Sequence, residues 1–130
     1  MIEGRSWRWV SLELAKAAHR EQIRLHGGGG DAIRDVSLSE SAMARAQNLA
    51  AYGAPDAAEL AAAYACGIAR NHPFVDGNKR TALVVSITFL RLNGESFAAT
   101  EAEATVAFLA LAAGELSEEG LARWFRDHLR

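Results

Sequence analysis

Alanine-rich stretches that open on a capping residue and close at glycine or proline constrain this chain more than any other feature. Alanine enters a helix without losing side-chain entropy, and the alternation of β-branched and polar residues that a sheet needs is scarce. The pattern predicts an all-α fold, a compact single-domain bundle of about six helices. With 130 residues, half of them hydrophobic, the chain can fill one core and has little left for a second.

The first helix is expected from Ser11 to His26, with Leu12, Ala15 and Ile23 on its apolar side, stopping at Gly27-Gly28-Gly29-Gly30. The second should start near Ser37, with Glu40 completing a capping box, and run towards Asn48. Asp56 and Glu59 cap a third that reaches about Arg70, because Pro73 disfavours helical backbone at His72. A fourth begins near Asn78 and ends at Asn93-Gly94. Its apolar residues, from Leu83 to Leu92, point almost all round, as expected of a central buried helix. Thr100 with Glu103 opens a fifth reaching Gly114, and Ser117 opens a sixth carrying Leu121, Trp124, Phe125 and Leu129.

A net charge of -2 gives no basic surplus for nucleic acid, and the longest apolar run, Ala82 to Leu90, is far too short to cross a membrane. The lone Cys66 and the lack of a secretory apolar stretch predict a reducing cytoplasm. Ile2-Glu3-Gly4-Arg5 matches a protease-cleavage sequence used to remove purification tags. Residues 1–6 therefore read as a tag remnant or a disordered start, and 7–130 as the domain.

Between the third and fourth helices, His72-Pro73-Phe74-Val75-Asp76-Gly77-Asn78-Lys79-Arg80 gathers a histidine, a carboxylate, an Asp-Gly turn and two cations. Free N–H groups at a helix start, approached over Gly77, form an anion site. Lys79 and Arg80 in a first helical turn oppose the helix dipole at about 0.3–1 kcal/mol each unless an anion sits among them. Arg80 can fork onto phosphate oxygens beside Lys79, and Asp76 offers a hard ligand to Mg²⁺ held jointly with phosphates. ATP with Mg²⁺ meets every group. His72 is suited to act as a general base near neutral pH, and Phe74 is expected to anchor the loop in the core. Singly, these residues have ordinary explanations as a structural histidine, a turn and solvated charge; jointly they point to a site.

The nine-residue stretch resembles the signature of the Fic/Doc family in its Doc (death-on-curing) form. Arg34 to Ala42, Tyr64 to Asn71 and Leu111 to Trp124 also resemble that pattern, so the likeness runs from Val10 to the C-terminus. The resemblance implies a helical Fic/Doc domain in which His72 is the catalytic base and Asp76 a metal ligand. Asn78, Lys79 and Arg80 would contact nucleotide phosphates. Lys79 stands where typical Fic proteins, which transfer AMP, carry a second glycine. Doc-type proteins with lysine there are linked to ATP bound in the opposite sense and to transfer of its terminal phosphate to elongation factor Tu, which halts translation. Loop physics alone leaves the nucleotide's orientation open.

The resemblance further implies a type II toxin-antitoxin pair. The Ser/Thr-to-Glu spacing of an inhibitory helix is missing from this sequence, so inhibition is expected from an antitoxin that inserts a helix into a groove. A chain that keeps the fold but acts only by occupying a partner is the non-enzymatic alternative. The segment Gly27 to Val36, with Gly30, Ile33, Arg34 and Asp35, reads either as a flap docking the protein substrate by strand pairing or as a flexible connector. His19 and His26 lack a third ligand at metal spacing and are expected at the surface, and His128 suits a helix C-terminus. Cys66 reads as a small buried residue, and Trp7, Trp9 and Trp124 as core or antitoxin-groove residues.

Overall fold

The computed structural model describes residues 6–28 and 33–130. Ile2-Glu3-Gly4-Arg5 and Gly30 lie outside that range. Six helices follow in order: α1 (Leu12–His26), α2 (Val36–Tyr52), α3 (Ala57–Asn71), α4 (Asn78–Leu92), α5 (Glu101–Ala112) and α6 (Glu118–Asp127). The all-α expectation holds, and the only extended pairings among the described residues are the isolated bridges Ile33 to Phe74 and Phe97 to Leu129. No described helix is long and apolar enough to cross a membrane.

Local chemistry sets most of the helix starts. Ser11 and Ser117 accept from the N–H groups of Leu14 and Gly120, and Asp56 with Glu59 and Thr100 with Glu103 form complete capping boxes. α2 starts at Val36, next to the expected Ser37, but a different residue caps it. Asp35, in extended backbone, accepts from Leu38 N–H at 3.0 Å and caps α2, which runs on to Tyr52. A carboxylate one step before the helix satisfies its orphan donors better than a serine already inside the first turn.

α4 is well enclosed, yet the deepest burial belongs to α3, before the loop: every residue from Leu60 to Ala69 is buried. Small side chains make this position tenable, because they let neighbouring backbones approach. A β-carbon on Gly67 would lie 2.9 Å from the Ala42 carbonyl oxygen of α2. Tyr64 adds the largest side chain of α3, with its ring against Phe89 at 5.3 Å and its hydroxyl accepting from Val10 N–H at 2.9 Å. Burial pushes that phenol up to about 12.

The tryptophans serve the core while staying partly exposed. Trp7 and Trp9 lie on Phe89, with centroids 5.8 and 5.9 Å away, and Trp124 meets Phe97, Phe108 and Phe125. His128 caps α6, donating from Nδ1 to the Trp124 carbonyl at 2.7 Å, and His26 is exposed. Cys66 is buried as expected, and its thiol is pushed up to about 12 by that burial, which leaves almost no thiolate at neutral pH.

Gly67→Ala tests the α2–α3 approach. Alanine gains up to about 1 kcal/mol of helix propensity, but the added carbon meets backbone that cannot swing aside. We expect a net destabilisation on the order of 1–2 kcal/mol, seen as a lower urea midpoint with an unchanged slope.

Candidate functional site

α3 ends and α4 begins within one short loop. His72, the C-cap of α3, adopts left-handed backbone (φ 49, ψ 57) and is the one non-glycine with positive φ among the described residues. Such a conformation persists only where surrounding contacts enforce it. Arg34 supplies them. Its Nε donates to the His72 carbonyl at 2.7 Å, its Nη2 to the Asn71 carbonyl at 2.8 Å, and its backbone N–H to the Pro73 carbonyl at 2.7 Å. The final carbonyls of α3, which no helical N–H can reach, thus find a cation.

Phe74 is buried as the expected anchor. Asn78 closes the loop around it, donating from Nδ2 to the Phe74 carbonyl and accepting at Oδ1 from the Phe74 N–H, both at 3.0 Å. Asn78 is itself buried. Its side chain is therefore a clasp for the loop, and what it can offer a phosphate is its backbone N–H at the start of α4. Between these two residues Val75, Asp76 and Gly77 bulge outward, and Gly77, left-handed at φ 77, donates to Asp76 Oδ1 at 2.7 Å.

The expectation of a surface His19 is wrong. The ring is fully buried, lies flat on Phe74 at 3.9 Å, and donates from Nε2 to the Asp76 carbonyl at 2.6 Å. The signal was present in the sequence: His19 follows Ala15 by one helical turn, and Ala15 was already on the apolar face. Gly27 and Gly28, at the start of the segment expected to be a flap or a flexible connector, also touch the site. The Gly27 carbonyl accepts from Arg80 Nη2 at 3.4 Å, and a β-carbon on Gly28 would lie 2.8 Å from Asp76 Oδ2.

The flap residues divide. Ile33 pairs with Phe74 of the loop itself, Arg34 braces the end of α3, and Asp35 caps α2. The described part of that segment is joined to the site by backbone pairing within the chain.

A cleft of about 280 Å³ is lined by every residue of the nine-residue stretch except the buried Pro73 and Phe74. α4 opens onto it with no acidic residue in its first turn and no side-chain cap, whereas each of the other five described helices has a side-chain cap. Among the described residues, Arg80 Nε is buried with no hydrogen-bond partner, and Lys79, exposed there, makes no ion pair. Bare N–H groups, two cations and an orphaned guanidinium donor in one hollow suit an anion with several oxygens. No cluster of three or more His, Cys, Asp or Glu among the described residues could hold a metal alone. A cation at Asp76 would need the phosphate oxygens as its other ligands.

A larger hollow of about 480 Å³ lies between α2, α3 and the start of α6, partly bridged by the Arg45–Glu118 ion pair. It contains no histidine or low-lying thiol to act as a base or nucleophile.

Comparison with known proteins places the chain in a family. The model of the Fic/DOC family matches residues 9–90. Toxin Doc of Mycolicibacterium smegmatis is 45% identical over 75 residues, which is 55% of this chain and 57% of that protein, so the chain spans a little over half of that relative's length in the match. Protein kinase doc of Escherichia phage P1 is 37% identical over 122 residues, covering 92% of this chain and 94% of that protein. The helical fold, the loop that joins α3 to α4 and these matches agree: the chain belongs to the Fic/Doc family and is of its Doc toxin type.

Proposed function

We propose that this chain is the toxin of a type II toxin-antitoxin pair and acts as a protein kinase, moving the terminal phosphate of ATP to a Ser or Thr hydroxyl of elongation factor Tu. The observation that carries the reading is the uncapped start of α4, with the unpartnered Arg80 Nε in the same cleft as His72 and Asp76. The name of the phage relative, Protein kinase doc, supports the reaction class. Lys79 in place of a glycine supports phosphate over AMP transfer, since it adds charge where the backbone would otherwise approach the nucleotide.

In this reading, the backbone N–H groups of Asn78 and Lys79, approached over Gly77, and the side chains of Lys79 and Arg80 bind the phosphates. Asp76 is the residue that would hold Mg²⁺, which when bound supplies positive charge shared with the phosphate oxygens. His72, exposed at the mouth of the cleft, takes the proton of the target hydroxyl. That oxygen bonds to the terminal phosphorus as the bond to the bridging oxygen breaks, and ADP leaves. The reaction belongs in the cytoplasm, where elongation factor Tu and ATP are found. The cognate antitoxin inhibits by laying a helix into a groove of the toxin.

With purified elongation factor Tu, label on the terminal phosphate of ATP should reach the protein; transfer from α-labelled ATP alone would establish AMP transfer instead. His72→Ala should lower transfer by about 10²–10⁴ and relieve growth arrest, and arrest that persists undiminished would favour a partner-binding module. Arg80→Ala should weaken ATP binding about 10–100-fold, as loss of charge-assisted hydrogen bonds predicts. Calorimetry that found unchanged ATP affinity would refute the phosphate assignment.

A further inference from the structure

His19 is buried beneath the loop that carries the chemistry and takes no part in the reaction described above. Three contacts define it. Its ring is stacked on Phe74, with the planes 7° apart. Nε2 donates to the Asp76 carbonyl at 2.6 Å. A β-carbon on Gly77 would stand 3.6 Å from its Cδ2 and Nε2.

Packing alone does not account for an imidazole at this position. Nδ1 is buried with no partner among the described residues, and an unsatisfied buried polar atom costs about 1–3 kcal/mol. A phenylalanine would fill the space without that loss. The imidazole contributes one directed N–H, aimed at the backbone of the residue whose carboxylate faces the cleft. The Asp76–Gly77 peptide is a rigid plane, so fixing its carbonyl fixes its N–H as well. With the electron-rich oxygen turned down towards His19, the opposite edge of the plane presents the Gly77 N–H to Asp76 Oδ1.

We infer that His19 is a positioning residue: it sets the Asp76–Gly77 peptide so that the Asp76 carboxylate and the first turn of α4 are ready for a metal-bound nucleotide phosphate. The inference rests on the nucleotide reading above. Residues that orient metal ligands from behind typically change metal affinity or activity 10–100-fold when lost.

Two variants separate the directed N–H from packing. His19→Phe keeps the ring and its stack but removes the donor; His19→Gln keeps an N–H donor at similar reach and removes the stack. Calorimetric affinity for ATP with Mg²⁺ should fall about tenfold or more in His19→Phe and stay within about threefold of wild type in His19→Gln. Hydrogen exchange at the Gly77 amide should quicken in His19→Phe alone. Wild-type affinity in His19→Phe, or an equal loss in both variants, overturns the inference. Wild-type protein that binds no ATP overturns the nucleotide reading instead, and the Gly77 exchange rate then decides the role of His19, unchanged exchange in His19→Phe overturning it. Should His19→Phe fail to fold, spectra of ¹⁵N-histidine-labelled wild type decide. The His19 ring signals must shift on adding ATP with Mg²⁺ while those of His26 stay, and an unmoved His19 signal overturns the inference.

Discussion

The amide of Asn78 meets both backbone groups of Phe74, and the geometry of the loop follows from that exchange. It ties the first turn of α4 to the residue that plugs the core, leaving the three residues between them nowhere to go but outward. Buried backbone groups need partners, and neither water nor a regular helix can supply them at this bend. The clasp therefore lets two apolar helices meet around a polar turn without an unsatisfied peptide at the junction. Asp76 faces the cleft because Phe74 and Asn78 face each other.

The two helix ends that meet there are treated in opposite ways. At the end of α3 the loose carbonyls are occupied from within, by the guanidinium of Arg34. At the start of α4 the loose N–H groups have no side-chain cap, and the neighbouring side chains are cations that make the bare end worse electrostatically. One terminus is finished by the fold; the other receives no cap from any side chain. The contrast is sharper for lying within a single loop, where a serine or aspartate cap would have been simple to place.

What could be read in the sequence was whatever is decided locally. Ser11, Asp56, Thr100 and Ser117 cap helices because their partners are three residues away, and the loop's polar density was visible as a string. The cap of α2 differs from the expected one because two candidates, Asp35 and Ser37, stand two positions apart in the sequence and only backbone conformation chooses between them. His19 escaped because its partner lies 57 positions away and a search for metal spacing looks for other ligands, not for a carbonyl. Arg34 was grouped with the flap for the same reason, its partners being 37 and 38 positions distant. The alanine and glycine of α3 read as a generic helix, although their smallness is what allows α2 to press against it.

The connection between α1 and α2 is fastened at both ends to the loop. On one side the Gly27 carbonyl takes a hydrogen bond from Arg80, with Gly28 against the Asp76 carboxylate; on the other, Ile33 and Arg34 hold the backbone from Asn71 to Phe74. The described residues on both sides of positions 29–32 are thus joined to the same loop. A pull on the Arg34 side cannot be absorbed locally, because the hydrogen bonds it strains are those that keep His72 in its left-handed turn. Whatever touches this edge of the molecule therefore acts on the backbone of the proposed base without touching its imidazole.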